Sequence, residues 1–530
     1  MTPHADSPMD TSDSRSLAVQ EAFTSFATNG FDETHIPGFG NRSHLRYTPE
    51  DELHDLVCVG FGPASLAIAV ALHDALDGTD PSLDMPSLQN RPPRVAFLEK
   101  QPQFAWHAGM LLPGARMQIT FMKDMATLRN PRSEFTFLNY LFQKDRLVEF
   151  TNLNTFLPQR VEYEDYMKWC ACWFEEVVQY DQEVVKVMPE RSPSGDGEIA
   201  SFTVVSQNLQ TGKMETRRTK HVVIAAGGRP NLPPPFPSNH PKVIHSSKFS
   251  YISTEILPDF QRPYNVAVVG NGQSAAEIFD FLHAHYPNAR TWLLIKGGAL
   301  RPSDDSPFVN EIFNPGRVES TFNRDPELRS CTIKEDRNTN YGVVRLNLIE
   351  HIYETLYLQR IRYGNSPEAE EQWPHRVMPH RCVTEVQDSP VVKGGIRLFV
   401  RDQSPLYLSD APNAQEGSEI LDVDAVFVAT GYHRDLHETL LKDARHLMPG
   451  GDLKDAKWQV QRDYSVHFAD KHVSEDAGVW LQGCCESTHG LSDTLLSILA
   501  TRAGQMVKSI FGKSGDWDGI DALGYEELRN

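Results

Sequence analysis

The sequence predicts an α/β fold in which two Rossmann-like dinucleotide-binding domains carry a small, mainly helical segment. Three observations predict it. A short apolar run ends in Gly60-Phe61-Gly62 and leads into an apolar helical pattern. A second apolar run ends in Gly270-Asn271-Gly272 and leads into another. Two further buried-strand patterns, within residues 221–228 and 425–432, run into Gly227-Gly228 and Gly431 and mark where the chain crosses between the two units. A length of 530 residues gives room for about three domains with large cores.

Composition narrows the function classes. Hydrophobic residues are 40% and charged residues 23% of the chain, which excludes collagenous, coiled-coil and wholly disordered proteins. The net charge is −20, from 51 Lys and Arg against 71 Asp and Glu. Such a chain is not expected to grip nucleic acid or an anionic membrane over a broad face. The 7 cysteines form no C-x-x-C, so a disulfide framework, a zinc ribbon and a dithiol reductase are not expected. Cys484 and Cys485, with Glu486 and His489 nearby, read as core, and no metal is expected. No basic region followed by an apolar stretch opens the chain. The most apolar stretch, residues 56–72, is too short and too broken by Gly60, Gly62 and Pro63 to span a bilayer. A cytoplasmic location is expected.

Residues 1–50 are rich in Ser, Thr, Asp, Pro and Gly and read as a disordered tail. The first unit follows. Residues 55–59 form the strand, Gly60 the tight turn, Gly62 the point where backbone approaches a pyrophosphate, and Ser65 a small residue that lets helix and strand pack closely. The helix N-terminus presents free N–H groups to the phosphates. A second strand, residues 94–98, ends at Glu99, whose carboxylate suits ribose hydroxyls. The separation of 39 residues from Gly60 to Glu99 exceeds the usual ~20, because residues 77–93 form a loop rich in Pro, Asp and Gly. Turns are expected at 192–197 and 409–418, and the prolines of 231–237 form a stiff connector at a domain boundary.

The second unit repeats the pattern. Residues 264–269 form the strand, Gly270 to Glu277 the turn and helix start, and residues 291–295 the next strand. That strand ends in Lys296, with Arg301 behind it, where an NAD site would have an acid. A cation there suits a 2′-phosphate, so NADPH is expected over NADH. Two dinucleotide units linked by two crossings point to FAD in the first and NADPH in the second. Without a C-x-x-C, electrons pass from NADPH through flavin to oxygen or another acceptor.

The segments between these units carry a resemblance. The runs Glu99 to His107, Met117 to Arg129 and Pro131 to Tyr140 closely resemble the N-hydroxylating flavin monooxygenases. So do Arg301 to Pro315, Asn338 to Val344 and Ser487 to Ser497. The likeness is to the fungal-type L-ornithine N5-monooxygenases of siderophore biosynthesis and covers about residues 50–515. It implies flavin contacts at Gly60, Gly62, Glu99, Lys100, Gln101, Pro102, Gln103, Phe104, Ala105, Trp106, His107, Gln118 and Val184. Thr494, Leu495 and Leu496 would open a helix toward the flavin pyrimidine. NADP contacts would fall on Asn271, Gly272, Gln273, Ser274, Lys296, Asn340, Tyr341 and Gly342. Related enzymes carry arginine at the Lys296 position; lysine keeps the charge and loses the bidentate fork.

Substrate contacts implied by the resemblance are Lys123, Asn310, Glu311, Ile312, Phe313, Asn340 and Ser497. Their chemistry suits an amino acid: Lys123 offers a charge to the carboxylate and Asn310 a neutral donor beside it. Asn340 and Ser497 accept from the side-chain amine without holding it as ammonium. The implied cycle is flavin reduction by NADPH, formation of a C4a-hydroperoxyflavin from O2, and oxygen transfer to the neutral side-chain amine of L-ornithine. No side chain is expected to act as a nucleophile; the flavin carries the chemistry. A homotetramer is implied as well.

The expected division is a tail at 1–50, a FAD domain at 51–230 and 415–515, an NADP domain at 231–304 and 352–414, a substrate segment at 305–351 and a tail at 516–530. Three other readings compete. An L-lysine N6-hydroxylase differs by one methylene, worth ~1–3 kcal/mol in a pocket. A non-catalytic NADP-binding regulator on the same fold would be colourless, and an uncoupled NADPH oxidase would yield no hydroxylamine.

Overall fold

A computed structural model describes residues 43–192, 197–404, 418–454 and 456–512. The expected tails up to residue 42 and from 516, and most of the turns at 192–197 and 409–418, lie outside the described residues.

The first unit is built on a parallel sheet. Its strands run in the order Val178–Gln179, Val95–Leu98, His54–Val59 and Met214–Ile224, and Gly478–Leu481 pairs with the far side of the last. The long strand Met214–Ile224 is shared. Its first half continues an antiparallel meander with Gln182–Arg191 and Ile199–Asn208, while its second half runs parallel to His54–Val59. The glycine-turn helix Pro63–Asp77 is buried almost all round, from Ser65 to Ala75, which explains its near-continuous run of Ala, Leu, Ile and Val. Its cover is the C-terminal helix Leu499–Phe511.

The second unit is a five-stranded parallel sheet in the order His375–Met378, Arg290–Leu294, Asn265–Val269, Ala425–Val428 and Val243–His245. A three-stranded antiparallel sheet of Arg381–Asp388, Ile396–Asp402 and Ser418–Val423 packs beside it through Leu398, Val400 and Val423. The two crossing segments pair with each other: Arg229–Pro230 runs antiparallel to Tyr432–His433. The bidentate contact of Arg229 with Asp435, at 2.7 Å on both arms, fastens this ribbon.

Three expected boundaries move. Residues 43–50 are not tail: Ser43 N–H donates to Trp173 O at 3.2 Å, Leu45 is buried, and Glu50 pairs with the fully buried Arg217 at 2.8 Å. The return to the first unit lies at Gly431–Tyr432 and not near 415, because Ala425–Val428 pairs with Asn265–Val269. The helix Leu346–Tyr363 begins inside the expected substrate segment but belongs to the second unit, where Leu348, Ile349, Ile352 and Leu356 join its core.

Candidate active site

Two clefts open at the carboxyl ends of the two parallel sheets, where α/β folds place their ligands. They repeat one construction. At Gly60, φ is +91° and a Cβ would stand 2.7 Å from Ala225 O, so only glycine fits. At Gly270, φ is +148° and a Cβ would stand 2.4 Å from Ala429 O. Each first glycine thus lets its turn close onto the carbonyl end of a crossing strand.

The second glycines behave differently. Gly62 has φ −86°, and its added Cβ would meet nothing within 4 Å. Gly272 has φ −97°, and its Cβ would meet only Gly342 Cα at 3.7 Å. Neither is required by the backbone. Each lies instead at a helix N-terminus without a side-chain cap, in front of Pro63–Asp77 and Gln273–His285. Open space beside uncapped N–H groups fits a dinucleotide pyrophosphate.

The first cleft is lined by Gly60, Gly62, Glu99 to Gln101, Ala105 to His107, residues 225–228 and Thr494 to Leu496. Glu99 is buried, and its carboxylate accepts from Phe61 N–H at 2.7 Å and Gln101 N–H at 2.9 Å. It locks the glycine turn to the end of its strand. Of the other flavin positions, Phe104 is core, Pro102 and Gln103 are exposed beside the cleft, Gln118 is exposed, and Val184 is buried in the meander. These five do not line the cleft.

The second cleft is lined by Gly270 to Ser274, Lys296, Gly297, Tyr341 and Gly342, with Pro233, Pro234, Ser246 and Arg381. Asn271 turns its side chain inward: its Oδ1 accepts from Lys296 N–H at 2.8 Å, joining the turn to the strand end. Lys296 is exposed at the rim. Arg301 is not a lining residue, and the stretch beside it bridges to Val344. The Gln273 side chain is engaged with protein: Nε2 donates to Glu277 at 2.8 Å and Oε1 accepts from Arg345 N–H at 2.9 Å. That leaves the backbone of Gln273 to face a phosphate.

The clefts meet. Tyr432 lines both. Tyr341 of the second cleft donates to Glu486 at 2.7 Å and lies 2.8 Å from the hydroxyl of Thr494 in the first. Burial, reinforced by Glu486, pushes the Tyr341 phenol up to about 12, so it stays a donor near neutral pH. Arg337 reinforces this junction, 2.8 Å from Glu486 and over the Tyr341 ring.

The expected substrate residues come from four segments: residues 310–313, Asn340 and Ser497 lie beside that junction, while Lys123 is linked to the first cleft through Tyr163 and Trp106. Lys123 sits in a turn organised by buried Asp124, whose carboxylate accepts from the N–H groups of Ala126, Thr127 and Phe137 at 3.0, 2.6 and 2.8 Å. The hydroxyl of Tyr163 donates to Lys123 O at 3.1 Å, and its ring packs on Trp106 of the first cleft. Lys123 is half-buried, and among the described residues no carboxylate lies within ion-pair distance of it. Burial alone lowers its pKa. A cation desolvated without a counter-ion fits an anionic ligand.

Asn310 donates to Asp305 O at 2.9 Å, and its amide oxygen accepts no hydrogen bond among the described residues. The turn Glu311–Phe313 packs against Leu491–Thr494 beside the first cleft, with Phe313 buried, Ile312 half-buried and Glu311 exposed. Asn340 precedes Tyr341 in the junction loop. Ser497 is buried immediately after the cleft residues Leu495 and Leu496, and its hydroxyl has no partner among the described residues. No direct contact joins Lys123 to Asn310, Asn340 or Ser497 among the described hydrogen bonds.

Two features of the first cleft were not anticipated from sequence. Arg434 lines it immediately after the crossing segment, its guanidinium 3.7 Å from the Cβ position of Gly483. Buried Arg502 pairs with Asp493 at 2.8 Å, and Asp493 also accepts from Cys485 N–H at 2.7 Å, fixing the loop that carries Thr494. Its signal was a lone arginine inside an apolar helix, which is costly unless paired.

Comparison with known proteins follows the same outline. Residues 52–434 match the family model of L-lysine 6-monooxygenase/L-ornithine 5-monooxygenase. The chain is 73% identical over 530 residues to an L-ornithine N(5)-monooxygenase of Cochliobolus heterostrophus, covering 100% of each. The fold resembles the ornithine hydroxylase PvdA of Pseudomonas aeruginosa, with a TM-score of 0.73, 33% identity, and coverage of 87% of this chain and 99% of that one. It is equally similar to an ornithine N-hydroxylase of Kutzneria sp. 744 in complex with reduced FAD, NADP+ and L-ornithine, with a TM-score of 0.73, 33% identity, and coverage of 87% and 99%.

Proposed function

This chain belongs to the L-lysine 6-monooxygenase/L-ornithine 5-monooxygenase family, and from that premise we propose that it N-hydroxylates the side-chain amine of L-ornithine, using FAD, NADPH and O2. The product is N5-hydroxyornithine, a building block for hydroxamate siderophores. The observation that carries the reading is the common wall of the two clefts at Tyr432 and Tyr341–Thr494. A shared wall supports transfer from an electron donor bound in one to an acceptor bound in the other.

In this reading the first cleft takes FAD. Gly62 and the uncapped helix receive the pyrophosphate, Glu99 the ribose, and Thr494 to Leu496 the ring end. The second cleft takes NADPH, with Gly272 and the helix start on its pyrophosphate and Lys296 on its 2′-phosphate. Bound FAD would supply the activation of O2, and O2 itself the transferred oxygen. The protein's own part is to bind, orient and keep water out. Lys123 fixes the ornithine carboxylate by charge. Asn310 donates beside it, and Asn340 and Ser497 orient the other end as neutral groups, which leave the amine free to lose its proton and attack. No acid that would hold an ammonium is needed among them.

Ornithine is preferred to lysine because the relative that matches the whole chain acts on ornithine by name. The described residues contain no helix long and apolar enough to cross a membrane. We place the enzyme in the cytoplasm as a homotetramer, the latter open to sedimentation analysis. The test of the function is isotopic. With 18O2, NADPH and L-ornithine, the hydroxylamine product should carry one 18O on the side-chain nitrogen. Unlabelled product, or NADPH oxidation without hydroxylamine, would overturn it.

A further inference from the structure

The two units are joined covalently by the paired crossing segments, Arg229–Pro230 and Tyr432–His433. A two-stranded ribbon leaves rotation about its length open. Met110 and Leu112 of the first unit pack into the core of the second, and an ion pair on different elements adds a directional contact. Arg160 opens the helix Arg160–Ala171 of the first unit, and Glu277 lies on Gln273–His285 of the second. The Arg160 Nη1 and Nη2 atoms donate to Glu277 Oε2 and Oε1, each at 2.8 Å. The side chains are 14% and 9% exposed. A planar guanidinium on a planar carboxylate fixes angle as well as distance.

Glu277 is tied to the dinucleotide end of its helix. Gln273 donates to its Oε1 at 2.8 Å and accepts from Arg345 N–H at 2.9 Å, and Arg345 Nη1 reaches back to Met117 O of the first unit at 3.2 Å. One network thus runs from the first unit, through Arg160 and Glu277, to the helix start beside Gly272, and returns through Arg345. Arg160, Glu277 and Arg345 line neither cleft, and Gln273 connects them to the wall of the second.

We propose that the Arg160–Glu277 pair is a positioning latch that sets the orientation of the second cleft relative to the first, and with it the rate of hydride transfer. The proposal rests on the reading that NADPH bound in the second cleft reduces flavin bound in the first. Neither residue touches a cofactor in this account. Loss of the latch should therefore spare binding at each cleft and slow the step that needs both in register, since small misplacements of reacting atoms cost rate steeply.

The test is anaerobic stopped-flow reduction of the flavin-loaded protein by NADPH. The variants are Glu277→Gln, Arg160→Lys and the charge exchange Arg160→Glu with Glu277→Arg. In Glu277→Gln the saturating reduction rate should fall by about tenfold or more. NADPH affinity and flavin content should stay within about threefold of the parent, less than the tenfold that 1.4 kcal/mol would produce. Arg160→Lys, which keeps the charge and loses the fork, should fall part of the way, and the charge exchange should recover much of the rate. An unchanged reduction rate in Glu277→Gln would overturn the proposal. So would a loss confined to NADPH affinity, or a loss of flavin and fold in all three variants, which would make the pair purely structural. A parent protein that NADPH does not reduce would instead refute the underlying reading.

Discussion

Substituting alanine at the first and second glycine of the same turn should separate folding from flavin binding. Gly60→Ala places a Cβ 2.7 Å from Ala225 O and 3.2 Å from Ala225 C, at a φ of +91°. The positive φ costs about 1–2 kcal/mol for an L-residue, and overpacking against backbone that cannot swing aside adds about 1–3 kcal/mol. The flavin-free protein should therefore lose about 2–5 kcal/mol. Gly62→Ala meets no atom within 4 Å and keeps an ordinary φ of −86°. A weaker N-cap is offset by the stiffer unfolded chain, worth about 0.4–1 kcal/mol, so stability should barely move. Its methyl, however, fills the space left for a phosphate. Losing charge-assisted contacts of about 1.5–3 kcal/mol raises the FAD Kd by about one to two decades. Urea unfolding of the flavin-free proteins measures the first effect, and flavin titration the second. A Gly62→Ala protein with parental FAD affinity, or a Gly60→Ala protein as stable as the parent, would refute the reasoning.

Three further outcomes follow from the site. Lys123→Met should raise the KM for ornithine by about one to two decades, the loss of one charged contact, and leave flavin reduction by NADPH intact. Because burial depresses the Lys123 pKa, folding sheds protons that the unfolded chain keeps, and stability rises with pH across that window. Removing the cation should accordingly raise the Tm near neutral pH, and parental ornithine affinity should fade on the alkaline side below the usual lysine pKa. If the exposed Lys296 cation serves the 2′-phosphate as proposed, Lys296→Ala should weaken NADPH and leave NADH nearly unchanged in steady-state kinetics. Arg502→Met strands the carboxylate of Asp493 and should cost about 3–5 kcal/mol of stability by urea unfolding, with looser flavin retention.

How much of this was legible in the sequence depends on how local each feature is. The glycine turns and Glu99 are read from a few consecutive residues, since strand, turn and helix follow one another along the chain. The wall formed by residues 225–228, Arg434 and the Asp493–Arg502 pair is assembled from crossings far apart in sequence, and no period announces it. The helix Leu346–Tyr363 was misallotted for a physical reason. It buries Ile352 yet exposes Leu346, Tyr353, Tyr357 and Ile361, so its apolar residues do not mark one inward face. A polar stretch near 415 reads as a linker and draws the expected return of the chain there, whereas the strand Ala425–Val428 beyond it still belongs to the second sheet. Residues 43–50 lack hydrophobic periodicity, and what holds them is largely polar, with Glu50 on buried Arg217. Lys123 stands out in the sequence only through the motif around it, and its burial is a property of the fold that no local pattern announces.

The most direct test of the central claim is the ratio of hydroxylamine formed to NADPH consumed, measured with L-ornithine, with L-lysine and with neither. The account predicts a ratio near one with ornithine, little hydroxylamine with lysine, and slow NADPH oxidation without substrate. Equal or greater hydroxylamine from lysine would contradict the substrate assignment. NADPH consumption that yields no hydroxylamine with either amino acid would contradict the hydroxylase itself.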